Sequence, residues 1–394
     1  MKRSNGEGSL YYSKTEKKWI MQYIDPYTYK RKTLRQRQNE KITDFKKRFY
    51  EMMNSINQKT YISKQDISLF SIAEDYINTL YQANKLKDAS YKRKLDTLKI
   101  IQKLPIASKP IQDISNKQIQ QSLSLLTDKY ANSTLSKIIE LIANAYNFAV
   151  LNNIISYNPF TIKGAIIKPK STKQDKRVRA LTINEQKLLI KELEKTTDKY
   201  RDLFLVLLFT GMRVGEALAL TPADIDLKRK IISINKTITK SIDDKTILGD
   251  TTKTYAGTRE IPILDILLPL MSSLLYEDLL FSDNGNLIST STINIHFKKI
   301  CKDAGILEKS SKKKKKESFV NISTSEAHTH MLRHTFATRC IEAGMSPVSL
   351  SHILGHKDIT TTLNTYTSVF EKYTKDEMKK IDKYFNSVAS SLHL

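Results

Sequence analysis

The sequence predicts a mainly α-helical fold with small β elements, an α+β class, spread over more than one domain. Its 394 residues exceed the usual size of one domain and suit two or three. Residues that favour strands gather in the first 35 positions and again between 231 and 263, whereas most of the rest shows helical periodicity. We therefore expect an N-terminal three-stranded sheet with a helix, then a four-helix bundle, then a mostly helical domain with a small antiparallel sheet.

Residues 1–62 are predicted to form a small basic domain. Three runs rich in β-forming residues, at 10–12, 19–24 and 29–34, are separated by polar turns. Apolar residues at helical spacing then predict a helix that covers one face of the sheet: Ile42, Phe45, Phe49, Met52 and Ile56. Tyrosine, lysine and arginine on the other face suit phosphate contacts and insertion into a DNA groove, and a merely solvated face is the alternative.

Residues 63–165 carry four amphipathic segments with short links, which predict a four-helix bundle. Ser90 and Ser133 are predicted to be the N-caps of the second and fourth helices. The second helix opens with three basic residues that we assign to contacts with DNA phosphates: Lys92, Arg93 and Lys94. A solvated helix face is the competing interpretation of this run.

Residues 166–179 are predicted to be a basic linker whose Arg177 and Arg179 contact DNA, with a plain interdomain tether as the alternative. The last domain, residues 180–394, opens with Thr182 and Glu185 at the spacing of a capping box. Gly211 predicts a tight turn before the following helix.

Three further segments of this domain have recognisable patterns. Short β-rich runs, at 231–238, 246–254 and 258–263, predict the small antiparallel sheet. The lysine-rich stretch at 308–326 predicts a basic loop. Met378, Ile381 and Phe385 predict a short amphipathic C-terminal helix.

The charge balance predicts a polyanionic partner. Lysine and arginine number 65 against 41 aspartate and glutamate, which gives a net charge of +24 and favours nucleic acid over a membrane surface. With no apolar run of transmembrane length and no signal-peptide segment, we expect a cytoplasmic protein without membrane contact. Two cysteines, Cys301 and Cys340, are too few for a disulfide framework.

The last domain contains reactive side chains whose order along the chain is informative, although each of these residues alone is ambiguous. The ordered set consists of Gly211-x-Arg213-x-x-Glu216, Lys253 on a predicted hairpin, His330-x-x-Arg333, Leu354-Gly355-His356 and Tyr366. An arginine beside a glutamate is often structural, and a pair of histidines four residues apart, His330 and His334, could in principle hold a metal. The His-Glu-x-x-His pattern of zinc proteases is missing, however.

Taken together, these residues resemble the tyrosine recombinase family of the phage-integrase type, over residues 180 to about 370. The basic domain at 1–62 and the helical bundle at 63–165 resemble, in turn, the arm-type DNA-binding domain and the core-binding domain of integrases from phages and conjugative transposons. The resemblance implies that two arginines bind the scissile phosphate, that two histidines belong to the site, and that a tyrosine is the nucleophile. These residues are, in that order, Arg213 and Arg333, His330 and His356, and Tyr366. Lys253 matches the hairpin lysine of the family, with Lys240 and Lys245 as alternatives in the same region.

The chemistry of a phosphodiester independently favours these residue types. Two guanidinium groups can neutralise the charge on the non-bridging oxygens with paired hydrogen bonds. A tyrosine, whose pKa is normally about 10, needs a nearby acceptor or a positive potential. We assign His330 as that acceptor, His356 as a donor to the phosphate and Lys253 as the acid for the 5′ oxygen. A covalent 3′-phosphotyrosine conserves the bond energy, so we expect neither a cofactor nor a metal.

The resemblance therefore implies a site-specific recombinase, the integrase of a mobile genetic element, that works through a Holliday junction. Its expected partners are double-stranded attachment sites, three further copies in a tetramer on DNA, and a directionality factor. It also implies that the C-terminal helix packs on a neighbouring protomer. Three alternatives stay open: a catalytically silent DNA-binding protein, a chromosome-dimer resolving recombinase, and a type IB topoisomerase-like enzyme.

Overall fold

The fold is a mainly helical α+β architecture, as the sequence predicts. A computed structural model describes residues 9–26, 29–58, 61–62, 65–173, 179–250, 258–276, 278–306 and 327–388. The chain divides into two compact units, Met1–Asp175 and Lys176–Leu394, which we call the N-terminal and C-terminal units. The domain boundaries predicted at residues 62 and 165 stay predictions, since the N-terminal module and the bundle fall in one compact unit.

The N-terminal unit begins with a three-stranded antiparallel sheet in the order β1-β2-β3. Its strands are β1 (Ser9–Ser13), β2 (Lys18–Ile24) and β3 (Arg31–Arg35), and helix α1 (Ile42–Asn57) follows. Phe45 and Phe49 of α1 pack on Met21 and Tyr23 of β2 to form a small buried cluster. The apolar face of the helix thus covers one face of the sheet, as its periodicity indicates.

Four helices form the rest of this unit around a core of their own. They are α2 (Leu69–Gln82), α3 (Asp88–Gln102), α4 (Asn116–Ser124) and α5 (Asn132–Leu151). The long α5 contributes the central stripe, with Leu135, Ile138, Ile142 and Ala145 buried.

The predicted N-caps Ser90 and Ser133 are wrong. Helix α3 begins two residues before Ser90, with Lys87 as its N-cap, and α5 begins with Ala131 at that position. Neither cap residue accepts a side-chain hydrogen bond, so tertiary packing rather than a capping serine sets where these helices start.

The C-terminal unit is built mostly from helices that enclose a large apolar core. Its first half contains α6 (Ile183–Lys195), α7 (Arg201–Thr210), α8 (Val214–Ala217) and α9 (Leu268–Ser273). Its second half contains α10 (Thr290–Asp303), α11 (His330–Glu342), α12 (Pro347–Leu354) and α13 (Ile359–Val388). The predicted capping box is confirmed: Thr182 and Glu185 exchange both hydrogen bonds at the start of α6.

The predicted single sheet is in fact two. Strands β4 (Ile225–Asp226), β5 (Ile231–Ile234) and β8 (Arg259–Pro262) form one antiparallel sheet, and β6 (Lys236–Lys240) pairs with β7 (Thr246–Asp250) in another. The run at 231–238 divides at Asn235, whose side chain turns to donate to Asp224 at 3.1 Å. The predicted loop at 308–326 lies outside the described residues.

The C-terminal helix is longer than the sequence suggests. Helix α13 extends over 30 residues and bends at Tyr366, where φ is −117° and ψ is 18°. The three apolar residues that predict it are exposed on its second half: Met378, Ile381 and Phe385. None of the described helices is long and apolar enough to cross a membrane.

Candidate active site

The candidate site lies where the α7–α8 turn, helix α11 and the C-terminal end of α12 meet. Gly211 ends α7 with φ at +65°, a conformation that L side chains rarely adopt. A Cβ atom there would stand 2.3 Å from the ring of Phe336 on α11. Glycine is therefore required both by the backbone and by the close approach of α11.

Arg333 of α11 is buried and joins the three segments. Its Nη1 donates to the carbonyl of Gly211 at 3.1 Å, and its Nη2 donates to the carbonyl of Leu354 at 2.7 Å. The same Nη2 donates to His356 Nε2 at 2.9 Å. Burial and the positive charge of Arg213 both lower the pKa of Arg333. The site thus concentrates positive charge where an anion would be bound.

Arg213, the second predicted phosphate ligand, is the N-cap residue of α8, and its side chain stays 43% exposed. Its Nη1 donates to Glu216 Oε1 at 2.8 Å, and its Nη2 is 3.4 Å from the carbonyl oxygen of Gly355. In the chain, Gly355 lies between Leu354 and His356, which are two of the three contacts of Arg333. Both arginines therefore converge on the Leu354–His356 segment.

Glu216 and Arg259 form a buried ion pair beneath Arg213. Arg259 Nη2 is 2.8 Å from Glu216 Oε2, and the two side chains are 2% and 4% exposed. Arg259 Nε also donates to the carbonyl of Ile353 at 2.6 Å. Although burial opposes it, the guanidinium groups of Arg259 and Arg213 lower the pKa of Glu216 to about 2. No motif in the sequence predicts this role for Arg259.

His356 has a defined tautomer in this arrangement. An arginine has no acceptor, so His356 Nε2 must accept from Arg333, and its proton is on Nδ1. Nδ1 then donates to Thr362 Oγ1 at 2.7 Å, and Thr362 is fully buried. Desolvation and the charge of Arg333 lower the pKa of His356 to about 4. In this state Nε2 does not donate, so the predicted donation to a phosphate requires the contact with Arg333 to open.

Tyr366 is buried, at 4% exposure, and its hydroxyl Oη is 3.1 Å from Nδ1 of His334. Desolvation raises the pKa of Tyr366 to about 12, against the opposing effect of Arg333. The predicted acceptor was His330, but the contact is made by His334, one turn further along α11. The ring of His330 lies edge-on to that of His334, with the centroids 4.9 Å apart.

His330, His334 and His356 all have lowered pKa values, so their imidazoles are neutral near pH 7. Desolvation and the positive charge of Arg333 lower the pKa of His334 to about 4. The pKa of His330 is lowered by partial desolvation and by the charges of its neighbours, although its ring is exposed to solvent. Among the described residues, no group of histidine, cysteine, aspartate and glutamate is placed to hold a metal.

The remaining predicted residues are less informative. Lys253 and Arg177 lie outside the described residues. Arg179 is engaged in two hydrogen bonds to Glu185, at 2.6 and 2.7 Å, which stabilise the start of α6. Lys92, Arg93 and Lys94 lie on the first turns of α3, where Arg93 is exposed and its Nε donates to the Ala89 carbonyl at 2.9 Å.

The chain is similar in sequence to known proteins. Residues 179–372 match the family model described as the phage integrase family. The transposase from transposon Tn916 of Enterococcus faecalis is 23% identical over 358 residues, which cover 87% of this chain and 83% of the transposase. The integrase of Staphylococcus phage L54a is 24% identical over 365 residues, which cover 84% of this chain and 98% of the integrase.

Two solved structures show the same fold. One is the Tn1549 transposon integrase in complex with transposon right end DNA, with a TM-score of 0.65 and 20% identity over 80% of this chain and 100% of that chain. The other is a lambda integrase tetramer bound to a Holliday junction, with a TM-score of 0.53 and 19% identity over 92% of this chain and 96% of that chain.

Proposed function

Residues 179–372 belong to the phage integrase family, and on this basis we propose that the protein is a site-specific DNA recombinase, the integrase of a mobile genetic element. It cuts and rejoins DNA through a covalent 3′-phosphotyrosine and a Holliday junction. The observation that carries this proposal is the convergence of two arginines on one backbone segment, beside a buried tyrosine: Arg213, Arg333 and Tyr366.

Arg213 and Arg333 bind the non-bridging oxygens of the scissile phosphate. Guanidinium groups hydrogen-bond to phosphate oxygens in pairs, and they stabilise the negative charge that grows in the transition state. The exposed part of Arg213 gives the phosphate access, whereas the buried Arg333 is fixed by two backbone carbonyls. Such preorganisation lowers the cost of arranging charges at the moment of reaction.

His356 and Lys253 complete the proposed machinery. Phosphate binding supplies negative charge that raises the pKa of His356, so its imidazole can take a second proton and donate from Nε2. Lys253, on the chain between β7 and β8, protonates the departing 5′ oxygen. His330 is exposed, and the charges of Arg333 and Arg213 both act on its imidazole, so it contributes a further contact with the phosphate.

The proposed partner is double-stranded DNA that carries the attachment sites of the element. The net charge of +24 supports a phosphate-rich partner. We assign five basic residues to contacts with its backbone: Lys92, Arg93, Lys94, Arg177 and Arg179. For Arg179, such contact would have to coexist with its pair to Glu185. The place of action is the cytoplasm, at the nucleoid.

Four copies are proposed to act together on DNA, since the lambda integrase of similar fold is a tetramer on a Holliday junction. The apolar residues Met378, Ile381 and Phe385 on the second half of α13 supply the contact with a neighbouring protomer. A chain truncated after Phe370 should bind one site but lose tetramer assembly; unchanged assembly in native electrophoresis would contradict this. A directionality factor is a further proposed partner.

The test is a reaction with DNA that carries the terminal sequences of the element that encodes the protein. Wild-type protein should form covalent adducts with nicked suicide sites, and the Tyr366→Phe variant should bind the same DNA without forming them. Binding without cleavage by the wild type would instead support a silent DNA-binding protein. Relaxation of supercoiled DNA without site preference would support a topoisomerase. Recombination only at chromosome-dimer resolution sites would support a resolving recombinase.

A further inference from the structure

The contact between Tyr366 and His334 joins the phenol hydroxyl to an imidazole nitrogen, with 3.1 Å between Oη and Nδ1. Burial raises the pKa of Tyr366 to about 12, so the hydroxyl keeps its proton near neutral pH. In the His334 tautomer that is protonated on Nε2, Nδ1 accepts the hydrogen bond that Oη donates. The lone pair of this neutral imidazole is then directed at the hydroxyl proposed as nucleophile.

Two structural features hold this contact. His334 follows Arg333 directly on α11, and Arg333 is fixed by the carbonyls of Gly211 and Leu354. On the other side, α13 bends at Tyr366, and the tyrosine ring is buried against α11 and α12 in a cluster that includes Ala337 and Leu354. Neither partner lies on a loose surface loop, so the contact belongs to the folded core of the unit.

We propose that His334 is a further catalytic residue, the base that takes the proton of Tyr366 during DNA cleavage and returns it during rejoining. This inference rests on the proposed function, because it concerns the same reaction. Within the set implied by the resemblance, His330 and His356 are the two histidines, and His334 has no role.

The step balances in both directions. Tyr366 Oη forms a bond to phosphorus, and its proton passes to His334 Nδ1, which becomes an imidazolium. The bond from phosphorus to the 5′ oxygen breaks, and that oxygen takes its electron pair and a proton from the acid assigned above, Lys253. In rejoining, the 5′ hydroxyl forms a bond to phosphorus and returns its proton to the acid. The bond from phosphorus to Tyr366 Oη breaks, and His334 gives its proton back to that oxygen.

The surroundings of His334 suit a transient rather than a permanent charge. The titratable and charged groups that face it come from its own helix, from the segment before that helix, from the end of α12 and from α13: Arg333, His330, His328, His356 and Tyr366. Without DNA, desolvation and the charges of Arg333 and His328 lower the pKa of His334 and keep its imidazole neutral near pH 7. A bound phosphate supplies the negative charge that stabilises the imidazolium when it forms.

The decisive variant is His334→Asn, because an asparagine side chain can accept the hydrogen bond from Oη but cannot take the proton. Single-turnover formation of the covalent adduct should slow by roughly 100-fold or more, the usual contribution of a general base. DNA affinity should stay unchanged. Because solvent must then take the proton, the rate of the variant should rise steadily with pH in the alkaline range. His352→Gln, an exposed histidine of α12, is the matched control and should react like the wild type.

A second variant and a second substrate separate this role from a structural one. His334→Ala should regain activity when imidazole is added to the buffer, which a misfolded protein would not do. On DNA whose 5′ bridging oxygen is replaced by sulfur, the leaving group needs no proton, so the defect of His334→Asn should persist.

Three results would overturn the inference while leaving the proposed function intact. They are a wild-type rate and pH profile in His334→Asn, the disappearance of its defect on the sulfur-containing DNA, and a lack of imidazole rescue in a folded His334→Ala protein that still binds DNA. If the wild type itself forms no adduct, the proposed function fails, and the inference fails with it.

Discussion

Replacing Glu216 by glutamine removes the negative charge that holds two arginines. The carboxylate accepts from Arg259 Nη1 and Nη2 at 3.1 and 2.8 Å, and from Arg213 Nη1 and backbone N, each at 2.8 Å. The variant leaves the buried Arg259 with an uncompensated charge. We expect a large loss of stability in the C-terminal unit and a displaced Arg213.

The magnitude follows from the pKa of the carboxyl group. Folding lowers the pKa of Glu216 from 4.5 to about 2. A change of one in the pKa corresponds to about 1.4 kcal/mol, so the charged carboxylate contributes about 3 kcal/mol to the free energy of unfolding. Loss of one partner from a buried ion pair typically costs about 3–5 kcal/mol of stability, which agrees with the value obtained from the pKa. Because the folded pKa is depressed, this stabilisation is complete above pH 4.5 and is lost as pH falls towards 2.

The assay must report on the C-terminal unit alone. The single tryptophan, Trp19, lies in β2 of the other unit, so its fluorescence serves as an internal control and should not change. Hydrogen exchange in urea, followed by mass spectrometry of peptides from α7 and α11, measures the unit in question. The exposed pair between Lys230 and Asp265, at 2.6 Å, offers a matched control in Asp265→Asn, which should have little effect.

A double-mutant cycle gives the clearest refutation. Arg259→Gln should be destabilising by itself, and the double variant with Glu216→Gln should lose much less than the sum of the two single losses. If Glu216→Gln costs under about 1 kcal/mol, or if the two losses add, the buried pair is not what fixes Arg213.

Three further predictions concern the same unit. Gly211→Ala should destabilise it by more than about 1–2 kcal/mol, since alanine meets both a left-handed backbone and the Phe336 ring; hydrogen exchange equal to the wild type would contradict this. Thr362→Val should slow adduct formation by about tenfold with DNA binding preserved, because it leaves His356 Nδ1 without its acceptor; an unchanged single-turnover rate would show that Thr362 does not orient the ring. Finally, folding lowers the pKa values of His334 and His356 to about 4, so the unfolded state binds more protons than the folded state between about pH 4 and 6.5. The free energy of unfolding should therefore decline as pH falls through that window. The decline should be weaker in a variant with asparagine at both positions.

Features set by local sequence could be predicted well. The capping box at Thr182, the turn at Gly211 and the N-terminal sheet each depend on residues close together in the chain, and the structure contains all three. The N-caps at Ser90 and Ser133 were wrong because packing in the bundle, rather than a cap hydrogen bond, determines where those helices begin.

The contacts of the site depend on residues far apart in the chain, and these the sequence does not fix. Arg259 meets Glu216 across 43 positions, and Tyr366 meets His334 across 32. A spacing of four residues places His330 and His334 on one helix face, but it does not say which of them the tyrosine reaches. The position of His334 directly after Arg333 could have indicated this contact, but the acceptor was assigned to His330 on the basis of the family pattern.

The most direct test of the account is to map the covalent bond between protein and DNA. After reaction with a suicide site and digestion with nuclease and protease, mass spectrometry should find the nucleotide linked through its 3′ phosphate to the peptide that contains Tyr366. A link to another residue, such as the neighbouring Tyr373, or no covalent product from protein that binds the site, would contradict the account.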